Sequence, residues 1–439
     1  MPEQQLPFGP ALRRMRLEAG LSLGQLSQHV HYSKAQLSKV ERGLKTPSAE
    51  LARLCDARLR AGGELLSLLP EQPPAKLPAA DEERGKEEVW LMHLSADGPS
   101  WFQPMGRRQV MAAGAAGAAA AVGLGTSAAA AGPATETGGA TLLETARSLF
   151  DQYRRLGQTS SPEVVLPALI AQTHSLRELS ARTGPRSRDA LLRLASRYAE
   201  YVGWLVQETG NDAAALWWTD RAVGLAAEGG DTDLAAYALV RRGLITLYRQ
   251  DGRQTVSLAQ QAQGSALPPR IRGLAWQREA QGHALAGDYD ACMRCLDRAR
   301  ELLRHEEPQA AAPVLGTTTL ADPVSTVTGW CMHDLGRPHK AARILEEQIS
   351  RIPPHALRAR TRYGVRHALA QAMAGEIDHA CDLARELLGA ASAVQSATIH
   401  SDLTRLCRIL ARHPNSPAVR AISPAINTTL YAGDWRTSL

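Results

Sequence analysis

The sequence predicts an all-α protein: a small five-helix domain followed by a long array of helical pairs. Three observations predict it. Residues 21–43, LSLGQLSQHVHYSKAQLSKVERG, read as two short amphipathic helices around a tight turn. Aromatic residues make up only 5% of the 439, while Ala and Gly abound, which favours close-packed helices over a large β core. Beyond residue 141, glycines recur with a small residue five positions later, as in helical hairpins whose helices approach closely. A chain of this length exceeds one typical core, so two or three domains are expected. The division reads as 8–70, a small domain; 71–140, a Pro/Ala/Gly-rich linker; and 141–439, the helical array.

Within 8–70, the first helix spans roughly Pro10 to Ala19, with Leu12, Met15, Arg16 and Ala19 on one face and Gly20 as its stop. Ser22 is placed to cap a second helix that buries Leu23, Leu26 and Val30. Ser33 caps a third, with Leu37 and Val40 inward and Gly43 ending it. Pro47-Ser48 opens a fourth, carrying Leu51, Leu54 and Cys55. Leu65, Leu66, Leu68 and Leu69 supply a short fifth. The net charge is +6 over the chain, and +4 of that falls in residues 1–70. This concentration points to a polyanionic partner.

The stretch LRRMRLEAGLSLGQLSQHVHYSKAQLSKVERGLKTPS resembles the lambda-repressor/Cro-like helix-turn-helix family, often called XRE. The matching elements stand in register: Arg16 four residues before Gly20, Leu21-Ser22, Leu26, Ser33, Glu41-Arg42-Gly43 and Pro47. One departure is His31 at the turn where many relatives carry Gly; His31 must then accept a left-handed conformation. The resemblance implies double-stranded operator DNA as partner, with the third helix in the major groove. Lys34, Ala35, Gln36 and Lys39 are then the base contacts: Lys suits guanine acceptors, Gln suits adenine, and Ala35 a thymine methyl. Leu23 at the second helix N-terminus, Gln25, Ser33 and Arg42 are the phosphate contacts. The resemblance also implies a structural salt bridge between Arg16 and Glu41.

The linker begins Pro-rich at 71–78 (EQPPAKLP), a composition that extends the chain. Residues 81–94 alternate charges and are expected to form one short helix. Arg107-Arg108 precedes an uncharged Ala/Gly-rich run at 111–132. Out of context this resembles an export signal or a membrane span. Its internal position, its small residues and its glycines argue for a linker, with no membrane role. No secretory signal is read at the start and the six cysteines are scattered, so a cytoplasmic, nucleoid-associated protein with reduced thiols is expected. The strong excess of Arg over Lys suggests an actinobacterium-like, GC-rich source.

In 141–439 five pairs align: Gly210/Ala215, Gly252/Ser257, Gly287/Cys292, Gly336/Ala341 and Gly375/Ala380. Small residues recur seven positions before the glycine, at Gly203, Ala280, Gly329 and Ala368, and twelve after it at Ala222 and Ala299. The pattern resembles tetratricopeptide repeats, best around 274–303 and poorly around 241–264. The resemblance implies an α-solenoid with a concave face for a peptide or protein helix.

No catalytic constellation is found, so an enzyme is not expected. Cys292-x-x-Cys295 lacks a second metal-binding pair, and no metal or cofactor is expected. Trp217-Trp218 reads as core plus one partly exposed ring. These readings converge on a DNA-binding transcriptional regulator. It is expected to act as a homodimer, with an array that senses a peptide or protein ligand. The alternative is an interaction scaffold whose head lacks specific DNA affinity. A steep salt dependence with a preferred DNA sequence separates the two.

Overall fold

The computed structural model describes residues 6–70, 89–93, 101–105, 136–304 and 313–431. The expectations for 71–78 and for Arg107-Arg108 with its Ala/Gly-rich run lie outside these. The architecture is all-α, with one small exception. Val89–His93 (β1) and Trp101–Met105 (β2) pair antiparallel, Leu91 opposite Gln103. Over 89–93 this corrects the helix expected for 81–94; the rest of that stretch lies outside the described residues. The segment VWLMH has no polar face at helical spacing, and Val and Trp favour a pleated surface.

Chain contacts define two compact units. One joins residues 1–75 with the helices from 235 onward; the other holds 76–234. Compactness therefore groups the N-terminal head with C-terminal helices that lie far from it in sequence.

The head is built from α1 (Phe8–Glu18), α2 (Leu23–Val30), α3 (Lys34–Glu41), α4 (Ala49–Leu59) and α5 (Glu64–Ser67). Its helix starts are set by side chains. Ser22, Ser33 and Ser48 each accept a hydrogen bond from a backbone N–H three residues on. Leu12, Leu26, Val30, Leu37, Leu51, Cys55 and Leu65 form its core, each at most 2% exposed. α1 begins two residues earlier than expected and buries Phe8, whereas Ala19 is exposed.

The second unit contains α6 (Glu136–Thr159), α7 (Pro162–Ser180), α8 (Pro185–Glu208) and α9 (Asp212–Glu228). Gly203 is the contact point of α8 and α9, where a Cβ would lie 3.2 Å from the Ala215 carbonyl oxygen. Trp218 is buried and Trp217 half-buried.

The first unit continues with α10 (Leu234–Tyr248), α11 (Gly252–Gln261), α12 (Pro269–Ala286), α13 (Tyr289–Arg304), α14 (Pro323–Asp334), α15 (Pro338–Ser350), α16 (Leu357–Met373), α17 (Ile377–Val394), α18 (Ala397–Leu410) and α19 (Pro417–Tyr431). Gly287, Gly336 and Gly375 sit in the turns of the pairs α12–α13, α14–α15 and α16–α17, all at positive φ. Their partners Cys292, Ala341 and Ala380 are fully buried.

The α10–α11 pair departs from the expected register. Ser257 is exposed, and Thr255 is the fully buried residue. The left-handed turn residue there is Gln250, at φ 62°, two positions before Gly252. In this register Gly243 is the small residue seven positions before the turn, and Ala262, fully buried, lies twelve after it. The glycine pattern misplaced this repeat because its turn position carries no glycine.

The head packs on the turns of the array. A Cβ on Gly287 would lie 2.6 Å from Leu66 Cδ1 and 2.9 Å from Gly63 Cα. On Gly336 it would lie 3.0 Å from the Leu54 amide nitrogen, and on Gly375 2.5 Å from His31 Nδ1. The same glycines that close the turns thus let the head's backbone and His31 approach. The buried core is continuous across this seam, from Leu26, Leu37 and Leu51 to Val365, Leu369, Leu403 and Ile409.

Candidate nucleic-acid interface

The interface is built on α2 and α3. Ser22 Oγ accepts from the Gln25 amide at 3.2 Å, and the Ser22 amide donates to Gln25 Oε1 at 2.8 Å. This closes a capping box and fixes where α2 begins. His31 ends α2 at φ 53°, ψ 40°, the left-handed conformation its position requires. The Ser27 hydroxyl donates to the Tyr32 carbonyl at 2.6 Å across the same turn. Ser33 then caps α3.

This geometry places the candidate residues as follows. Lys34, Ala35 and Lys39 are exposed on α3 and Gln36 is half-buried beside them. Ser33 and Arg42 are exposed at the two ends of α3; the Arg42 Nε donates to the Ser38 carbonyl at 3.2 Å. Leu23 is half-buried at the start of α2. Gln25 is exposed, but its carbonyl oxygen is held by the cap, which leaves its amide –NH2 as the group it can offer a partner. Among the described residues no carboxylate pairs with Lys34, Lys39 or Arg42, so the positive charge of this face is unneutralised.

Arg16 and Glu41 lie behind this face. Arg16 Nε donates to Glu41 Oε1 at 2.6 Å and Nη2 to Oε2 at 2.9 Å. The third arm, Nη1, donates to the Leu21 carbonyl at 2.8 Å. One guanidinium therefore ties α1, the α1–α2 turn and the end of α3 together. Arg16 and Glu41 are 7% and 9% exposed and touch no surface that a base edge could reach. The Glu41 hydrogen bond raises the Arg16 pKa above its ordinary value.

A family model described as a helix-turn-helix domain matches residues 7–69. The head is a helix-turn-helix DNA-binding domain. Comparison of the whole chain with curated proteins and with solved structures returned no match. Among the described residues no helix is long and apolar enough to cross a membrane.

Two glycines of the helix-turn-helix head escaped the sequence reading. Gly9 lets α1 cross the end of α3: a Cβ there would fall 2.9 Å from the Glu41 carbonyl oxygen and closer still to that of Val40. Gly24, in the first turn of α2, carries the aliphatic arm of Lys34, whose Cε would lie 2.6 Å from a Cβ at that position. Only the fold brings these partners together, and nothing local in the sequence marks them.

Away from the head, Glu279, His283 and Cys295 converge between α12 and α13. Both cysteines of Cys292-x-x-Cys295 are buried, but only Cys295 meets Glu279-x-x-x-His283; Cys292 lies against Cys331 instead. The Glu279 carboxylate accepts from Gln260 Nε2 at 2.8 Å and Gln263 Nε2 at 2.5 Å, with His283 Nε2 at 3.4 Å. Burial pushes the Cys295 thiol up to about 12. The group reads as a satisfied polar network joining α11, α12 and α13.

Proposed function

We propose that this protein is a sequence-specific DNA-binding transcriptional regulator. The observation that carries the reading is the orientation of the head in its compact unit. Its α4, α5 and α2–α3 turn rest on the array, while Lys34, Ala35 and Lys39 of α3 face outward, unpaired. The base-reading set is Lys34, Ala35, Gln36 and Lys39. Leu23, Gln25, Ser33 and Arg42 supply the phosphate contacts. One head covers about half an operator, which favours a homodimer on a two-fold or tandem site. The glycine and small-residue spacing supports a tetratricopeptide-like array, and such an array offers a surface for a peptide or protein ligand. The chemistry assigned to the chain is binding and not catalysis. The lambda-repressor-like register, the Arg-rich composition and the charge distribution support an XRE-type regulator working in an actinobacterium-like cytoplasm.

The test is selection from a random duplex library by the purified full-length protein, with Lys34→Ala/Lys39→Ala as control. The expected result is an enriched motif that the double variant loses, with affinity falling steeply as salt rises. No enrichment by either folded protein overturns the reading and favours the scaffold alternative.

A further inference from the structure

A cavity of about 470 Å³ lies at the seam between α4 of the head and the array. Its size is far above that of one water and within the range of small-molecule sites. Five arginines line it, Arg53, Arg249, Arg366, Arg405 and Arg408, against two carboxylates, Glu50 and Asp402. Asp334 sits behind them, 4.0 Å from Arg53 Nη1 and 3.6 Å from Arg405 Nη2. Even with Asp334 counted and Arg249 set aside, cations outnumber anions.

The buried hydrogen-bonding groups left over include guanidinium donors. Arg53 is 4% exposed and Arg366 3%, and the Nε of each is buried without a hydrogen-bond partner. The Tyr248 hydroxyl is orphaned in the same way. The orphan acceptors nearby, Asp334 Oδ1 and Asp402 Oδ2, already lie within ion-pair distance of Arg405 and Arg366. Arg366 is itself stacked 3.1 Å over Trp330 and 2.9 Å from Asp402, so its guanidinium is held in place. Burial, with Arg405 adding repulsion, lowers the Arg53 pKa. Arg408, exposed, lines the cavity and makes no ion pair among the described residues. An excess of buried, pre-oriented guanidinium donors is complementary to planar or tetrahedral oxyanions, which accept bidentate bonds.

We propose that this cavity binds a small polyanion, a metabolite carrying phosphate or several carboxylates. Its oxyanions are held by Arg53 from the head and by Arg366, Arg405 and Arg408 from the array. Because head and array both line the site, an occupant bridges them and favours the docked arrangement. A ligand shifts an equilibrium only by its differential affinity for two arrangements, and a bridging anion has such a difference by construction. The regulatory meaning of the site rests on the DNA-binding reading; its ability to bind an anion does not.

The test is isothermal titration calorimetry on the full-length protein with sodium pyrophosphate and, separately, with citrate, at ionic strength matched with KCl. Three proteins are compared: the unaltered chain, Arg408→Ala in the cavity lining, and Lys39→Ala on α3. The expected result is saturable binding of at least one probe, weakened about tenfold or more by Arg408→Ala, since one charge-assisted contact is lost. Lys39→Ala is expected to match the unaltered protein within about twofold, since it lies outside the cavity. Binding of pyrophosphate alone assigns a phosphate ligand, and binding of citrate alone a carboxylate one. Absence of saturable binding overturns the proposal. So does equal binding in all three proteins, or loss in Lys39→Ala with retention in Arg408→Ala. Duplex binding by the same preparations is read in parallel without anion. Its failure alongside Arg408-dependent anion binding sinks the regulator reading and leaves the site standing.

Discussion

Arg16 and Glu41 are 25 residues apart in sequence, and their charges meet inside the head. A buried ion pair of this kind contributes little net stability over an apolar pair, but removing one partner strands a charge. Glu41→Ala is therefore expected to destabilise the head by about 3 kcal/mol or more. Glu41→Gln, which keeps one acceptor oxygen, should cost less. Urea unfolding of the full-length protein followed by circular dichroism measures both; equal stability of Glu41→Ala and the unaltered chain would remove the pair's structural role. DNA binding by Glu41→Ala should be lost in proportion to unfolding. At this scale, what could be read in advance followed local rules. Ser22 and Ser33 were legible as caps because capping needs only a hydroxyl at one position. Gln250 was not, since nothing in its neighbours announces that a Gln will take φ 62°. Its role appears only in the fold, where its Oε1 accepts from Arg53 Nη2 at 2.7 Å.

At the scale of elements, α3 works only as part of a pair with α2. Lys34 runs across Gly24 at the start of α2, so its ammonium is positioned by a residue on another helix. A methyl group at Gly24 would meet the Lys34 arm and turn it to another rotamer. Gly24→Ala also raises helix propensity, by up to about 1 kcal/mol. The expected outcome is a protein at least as stable as the unaltered one that binds duplex DNA more weakly. If Lys34 reads a base, the loss is of order 1–3 kcal/mol and falls on one position of the operator. Fluorescence anisotropy against a library-selected duplex and its single-base variants checks this; unchanged affinity would free Lys34 from the contact. The helices themselves were legible from periodicity and caps. The β1–β2 ribbon was missed because the charge alternation of 81–88 was extended across VWLMH. The α10–α11 register is not legible from the array's pattern because that pattern marks each turn by a glycine, and here the left-handed residue is Gln250.

At the scale of the whole first unit, the docking of the head could not be read from the sequence. It joins residues near 30–66 to residues beyond 240, and no periodicity reports a contact at that separation. What makes it possible is the bare surface of Gly287, Gly336 and Gly375, which the repeat pattern already required for turns. What holds it includes Arg53 near Asp334, Arg412 near Glu50, and His31 against Gly375. These groups make the unit sensitive to acid. Partial burial lowers the pKa of His31, an otherwise exposed residue, with His339 and His413 adding repulsion, and burial lowers those of His367, His400 and His413. His333, within the same seam, is pushed down to about 3, first by burial and only partly opposed by Asp334. Above pH 6.5 these histidines are neutral folded or unfolded and favour neither state. Below it the unfolded chain binds protons that the folded chain refuses, so stability falls as pH falls. For His333 the fall runs from 6.5 towards about 3, with a slope of up to about 1.4 kcal/mol per pH unit. Glu50 and Asp334 act in the same direction at lower pH: against the upward push of burial, a backbone hydrogen bond and then the neighbouring arginines depress the pKa of Glu50, and the arginines, Arg53 first, depress that of Asp334, and that stabilisation is lost as they protonate. The urea midpoint of the full-length protein is therefore expected to drop between about pH 7 and pH 5, before carboxylates titrate. His333→Gln, which cannot be protonated, should flatten part of that slope while leaving the neutral-pH midpoint less affected. A midpoint that is level from pH 7 to pH 5, or a slope unchanged by His333→Gln, would mean that these histidines reach water in the folded protein and that the seam is looser than its buried arginines and carboxylates imply.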